Sequence, residues 1–183
     1  FSKKHGLKIG TIADLINYRI LNEKTVEKIE KKLVKTEYGK FNLIMYKDLI
    51  FDETHLVLQK GKITKNNPTL VRVQQSNFYH DLLNINEFGA RWSVSDAMKK
   101  INEAGKGIIL LIDGENDKQN EFNEINASKK KRKTIPNNDP RRIGIGSQIL
   151  RDLGVQKIKL MGSEVRYPSL SGFDLEVTEY VKK

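Results

Sequence analysis

The chain has 183 residues, 38% of them hydrophobic and 31% charged, a net charge of +10 and no cysteine. That is enough chain to bury a core without cross-links, and with no thiol neither a disulfide nor a thiolate-bound metal can form. The longest apolar run, Ile108–Ile112, is far too short for a membrane span.

No secretory signal is visible, and a start at Phe1 rather than Met reads as a cut from something longer. The cytoplasm is the default compartment. Thr11 to Arg19 reads as a short helix: Thr11 caps the first turn, Asp14 stands three residues on, and Ile12, Leu15 and Ile16 line one face. Leu21 to Lys35 is charged, with Val26, Ile29 and Leu33 at helical spacing, and reads as a connector. From Glu37 short strands are expected. Phe41, Leu43 and Met45 alternate with polar or smaller neighbours, and His55-Leu56-Val57-Leu58 comes next. Lys60-Gly61-Lys62 reads as a hairpin-like turn before a strand at Thr69–Val73.

The second half alternates helix and strand. Ser93-Val94-Ser95-Asp96 looks like a helix start, and Ala97, Met98, Ile101 and Ala104 form an apolar stripe that Gly105 stops. Gly107–Asp113 reads as a buried strand, Ser147–Leu153 as a helix ended by Gly154, and Val155–Met161 and Leu175–Val181 as strands. Strands first and strand–helix alternation afterwards argue for a mixed α/β (α+β) domain, a mixed sheet with flanking helices.

Half of the net charge sits in Lys129–Lys133, inside Asn116–Asn138, where Phe122, Ile125 and Ile135 are the only large apolar residues. So little apolar surface cannot offset the entropy of ordering, and the stretch reads as a mobile basic loop. A single-strand nucleic-acid site would interleave stacking aromatic residues with the basic ones, and none are there, so the basic run alone is weak evidence for one. His5, His55 and His80 share no metal-ligand spacing, and only His80 has an adjacent carboxylate, Asp81; ordinary surface or core histidines are the better reading. Gly144-Ile145-Gly146 before a helix could present backbone N–H groups to a phosphate. Ile149 replaces the usual third glycine, so helix-entry flexibility is the stronger reading.

Two segments carry more. Residues Phe1 to Arg19, FSKKHGLKIGTIADLINYR, resemble the C-terminal end of 3,4-dihydroxy-2-butanone 4-phosphate synthase. In many bacteria that synthase is fused to GTP cyclohydrolase II, and the remainder of this chain looks like that second domain. Leu70-Val71-Arg72-Val73 matches the strand before the family's first metal cysteine. Gly144 to Val155 is close to the helix and strand after its catalytic loop, and Gly172 to Val177 matches its ending. The resemblance implies residues 1–20 as the synthase tail, 21–36 as a linker, and 37–183 as a GTP cyclohydrolase II-like domain with the basic loop at 116–138.

The family binds zinc through three cysteines. At the matching positions stand Asn77, after Arg72-Val73-Gln74-Gln75-Ser76, and Trp92 and Val94 in place of a Cys-Asp-Cys motif. The Glu-Gly-Arg nucleotide contacts fall near Glu115-Asn116-Asp117, which puts acids where an anion should bind. Thr-Asn-Asn becomes Met161-Gly162-Ser163, with Arg166 at the substrate-lysine position. Asp139 and Arg141 persist where the resemblance implies the proton acceptor and the arginine nucleophile, and read as relics. Arg72 and Arg166 remain as candidate ligand-binding residues.

The leading expectation is a zinc-free, degenerate domain with no cofactor of its own and a structural or regulatory role. The upstream synthase, a magnesium-dependent lyase by resemblance, would be its partner, with a homodimer as a further assembly and no membrane partner. Two rivals stand beside it: an active nucleotide-processing domain using Asp139, Arg141 and Arg72, and a nucleic-acid-binding module using Lys129–Lys133.

Overall fold

The computed structural model describes residues 1–11, 14–15, 18–19, 22–75, 81, 92–112, 140–165 and 167–183, with the side chains of 140, 168 and 169 left aside. Among the described residues, seven strands make one mixed sheet: β1 (Val26–Thr36), β2 (Gly39–Asp48), β3 (Thr54–Lys60), β4 (Thr69–Gln75), β5 (Gly107–Ile112), β6 (Lys157–Met161) and β7 (Glu176–Val181), in the order β1-β2-β3-β5-β4-β6-β7. The pairs from β1 through β3 to β5 are antiparallel, and those from β5 through β4 and β6 to β7 are parallel. The expected mixed sheet with flanking helices is what the chain forms.

Helices α1 (Val94–Ala104) and α2 (Pro140–Asp152) cover opposite faces. Strand side chains alternate, so neighbours on β5 report the two faces separately. Ile108 and Leu110 join Ile145, Ile149 and Leu150 of α2, whereas Ile109 joins Ala97, Met98 and Ile101 of α1. This explains why β5 is an unbroken Ile/Leu run: both its sides are core. α1 has the boundaries its sequence suggests, because Ser93 Oγ accepts the Asp96 N–H at 3.1 Å and Gly105 takes the left-handed conformation (φ 69°) that ends the helix.

Ahead of the sheet, Thr11 and Asp14 cap each other. The Asp14 N–H reaches Thr11 Oγ1 at 3.0 Å and the Thr11 N–H reaches Asp14 Oδ2 at 3.2 Å. Hydrogen bonding from Thr11 holds the Asp14 carboxyl below its ordinary value. Residues 14–15 and 18–19 are helical as expected, and the rest of that apolar stripe lies outside the described residues.

Three expectations need correction. The segment read as a connector is largely strand β1, an 11-residue strand that pairs along β2 with a bulge between Lys28 and Glu30. Most of its side chains are exposed, so the backbone ladder rather than apolar burial holds it, and no alternating pattern announces it. The hairpin at Lys60-Gly61-Lys62 does not form. β3 pairs with β2 and β5, and the most apolar strand stands between β3 and β4. Finally, Gly144 and Gly146 lie inside α2 rather than at its entry. A Cβ on Gly146 would meet Ile112 Cδ1 at 3.3 Å and Leu110 Cδ2 at 3.6 Å, so the glycine serves the close approach of helix to sheet.

Candidate functional site

The parallel strands β4, β5 and β6 end at Gln75, Ile112 and Met161. The chain leaves β4 over one face through α1 and leaves β5 over the other through α2. In open α/β sheets, such a reversal at the carboxyl ends of strands is where ligands bind. The candidate residues gather there in two groups, one on each face.

On the α1 side the centre is Arg72. Its Nη1 donates to the Met161 carbonyl at 2.8 Å, its Nη2 to the Trp92 carbonyl at 3.2 Å, and its Nε to Gln74 Oε1 at 2.8 Å. Gln74 in turn donates to both carboxylate oxygens of Asp81 at 3.0 and 2.9 Å, and Asp81 Oδ1 accepts the Val94 N–H at 3.4 Å. Trp92 is buried and its indole N–H reaches the Val181 carbonyl at 3.1 Å; the Gly162 N–H reaches the same oxygen at 3.2 Å. Burial, aided by the nearby Tyr180 hydroxyl and opposed by Arg72, raises the Tyr167 hydroxyl above its ordinary value. Three positions flagged separately in the sequence (Arg72, Trp92 and Met161) thus meet in one polar network. A guanidinium fork that donates to two main-chain carbonyls and an amide is holding strands and helix entry together.

On the α2 side the first turn carries Arg141 and Arg142. Arg141 is ion-paired with Glu53, and its guanidinium lies 3.5 Å from the centre of the Phe51 ring. Arg142 donates to Gln75 Oε1 at the end of β4. Arg141 therefore clasps the β2–β3 tip onto α2, using charge and ring contact together. Its partners Phe51 and Glu53 lie 90 and 88 positions earlier in the chain, and no local motif announces them.

Among the described residues, one group could offer metal-ligand atoms: Asp48, Glu53 and His55, all within 4.8 Å of one another. Asp48 and His55 are buried. Chain spacing hides this set, because the β2–β3 pairing brings it together. Its acids are already engaged: Asp48 Oδ1 accepts the N–H groups of Ile50 at 2.8 Å and Phe51 at 3.3 Å, and Glu53 holds Arg141. The three-cysteine zinc set that the sequence resemblance implies is a separate matter. Trp92 and Val94 are apolar groups packed into the α1-side core, and neither can ligate a cation. The two described positions offer that zinc no ligand.

Asp139, Arg166, Asn77, Glu115-Asn116-Asp117 and the 116–138 loop with Lys129–Lys133 lie outside the described residues, as does His80. Of the expected site residues, Arg72 and Arg141 are described, and they stand on the two different sides.

The GTP cyclohydrolase II family profile matches residues 27–182. The chain is 46% identical over 184 aligned residues to 3,4-dihydroxy-2-butanone 4-phosphate synthase of Pseudomonas aeruginosa, covering 99% of this chain and 50% of that protein. It is 36% identical to the riboflavin biosynthesis protein RibBA of Aquifex aeolicus, covering 99% and 48%. A solved structure of RibBX, a two-domain 3,4-dihydroxy-2-butanone 4-phosphate synthase from A. baumannii, superposes with a TM-score of 0.62 at 38% identity, covering 100% of this chain and 48% of that one. The chain thus spans about half the length of the curated relatives it matches. With the profile covering most of its length and relatives above 30% identity along nearly all of it, the chain belongs to the GTP cyclohydrolase II family.

Proposed function

We propose that this domain no longer opens the ring of GTP and serves a riboflavin-biosynthesis synthase as a structural or regulatory module. One observation carries the reading: Arg141, the position where resemblance implies the nucleophile, is ion-paired with Glu53 and stacked on Phe51. A guanidinium in that clasp gives up partners it needs for stability if it turns to a substrate. The absence of cysteine supports the same reading, since hydrolytic ring opening needs a water activated near neutral pH and the zinc-binding thiols that would hold the metal are missing.

The synthase activity, a magnesium-dependent lyase reaction on ribulose 5-phosphate by resemblance, would belong to a preceding domain of the kind the half-matched relatives carry. The domain itself would need no metal or nucleotide. Thermal unfolding with GTP tests this. A ligand at a hundred times its Kd stabilises by about 2.7 kcal/mol, which shifts the midpoint by several degrees. We expect no shift at millimolar GTP. A saturable rise that disappears in Arg141→Ala would overturn the proposal.

A further inference from the structure

Leu49, Ile50 and Phe51 stand consecutively at the tip between β2 and β3, exposed by 58%, 46% and 51%. Contiguous exposed apolar residues mark interaction surfaces. This tip is built to hold them outward. Buried Asp48 fixes the turn through the Ile50 and Phe51 N–H groups. Lys47 pairs with Asp52 at 2.6 Å and donates to its carbonyl at 2.8 Å. Arg141 braces Phe51 from beneath while it grips Glu53. An apolar group fixed in advance loses little freedom on association, which is the signature of a docking element rather than of a loop left over.

The leading segment of the chain arrives at the same place. The Leu49 N–H donates to the Thr25 carbonyl at 2.9 Å, and Gln148 Nε2 donates to the Glu23 carbonyl at 3.1 Å. Just before it, the Glu23 N–H donates to the Arg19 carbonyl at 2.8 Å, an ion pair at 2.9 Å joins the same two residues, and Tyr18 is 62% exposed. We propose that Leu49, Ile50 and Phe51, with Tyr18, seat a synthase-type domain joined ahead of this one. Two observations select that occupant. The matched relatives extend to about twice this length, and the segment that would lead from such a domain enters the sheet beside the tip. Docking there rests on the structural or regulatory reading above and adds its surface. It also gives the Arg141 clasp a purpose, since the clasp sets the tip's orientation.

Hydrogen exchange tests it, comparing the 183-residue chain, the two-domain chain and the two-domain Ile50→Lys variant, with β5 amides as the control for intact folding. The expected result is exchange at 49–51 slowed at least about tenfold in the two-domain chain and restored by Ile50→Lys, with β5 unchanged. Equal rates at the tip in the two wild-type chains would overturn the proposal. So would tip protection in the 183-residue chain that grows with its concentration, because a second copy would then be the occupant. GTP ring opening, if detected, would sink the functional reading without altering these rates.

Discussion

Cutting the Arg141 clasp is the sharpest perturbation available. The Arg141 and Glu53 side chains are 30% and 24% exposed, which places the pair between the surface and the interior. Exposed pairs contribute about 0.2–1 kcal/mol, and breaking a buried one costs about 3–5 kcal/mol. An intermediate cost of about 1.5 kcal/mol is the reasonable expectation for Glu53→Gln. Arg141→Ala also removes the contact with Phe51, worth roughly 0.5–1 kcal/mol, for a total of about 2–2.5 kcal/mol. The double variant should fall short of the sum by about 1 kcal/mol, the coupling expected of residues in contact. Urea unfolding reads all three. With a slope of about 2 kcal/mol/M, Arg141→Ala should lower the midpoint by roughly 1 M with the slope unchanged. A neutral or stabilising Arg141→Ala would refute the reasoning, because a residue kept for a ligand at the expense of stability behaves that way.

Other perturbations draw on the same geometry. Arg72→Lys replaces a fork bonded to three acceptors by a single ammonium, and should cost about 2–3 kcal/mol in urea unfolding; a loss below about 0.5 kcal/mol would remove the network from the account. Gly107→Ala drives a methyl to within 2.7 Å of the buried Ile101 side chain, so a loss of about 1–3 kcal/mol is expected, and an unchanged melting temperature would contradict the packing. Burial raises the Asp152 carboxyl, but hydrogen bonds from Tyr46 and Lys24 and the charges of Lys24 and Lys28 outweigh it and hold the group below its ordinary 3.8. A lowered folded value means stabilisation that is present above the unfolded value and lost as pH falls through the folded one. Asp152→Asn should therefore flatten the acid limb of stability against pH; curves that stay parallel to wild type down to about pH 2 would show that the carboxylate contributes nothing.

Legibility in the sequence tracked how local the determining physics was. α1 was readable end to end because its cap, stripe and stop are nearest-neighbour effects, and β5 because a strand with both faces buried has little choice but continuous Ile and Leu. β1 was missed because an edge strand held by its backbone ladder leaves its side chains free to be charged. The first half of α2, ahead of Ser147, was missed because Gly144-Ile145-Gly146 reads as a flexible helix entry, whereas at least Gly146 answers to Ile112 across the helix–sheet gap. At the site, Arg72 and Arg141 were found only through a family likeness. Their partners, the carbonyls of Trp92 and Met161 for one and Glu53 and Phe51 for the other, are set by tertiary contacts that no spacing rule encodes. The same holds for Asp48, Glu53 and His55, which strand pairing brings into one group.

The proposal above has a cyclohydrolase fold serving as a scaffold. Formate release from GTP tests it most directly, measured on the full chain with zinc supplied and a cysteine-containing family member run in parallel. No formate above the protein-free rate is expected from this chain while the relative turns over. Sustained formate production, abolished by Arg141→Ala, would contradict it.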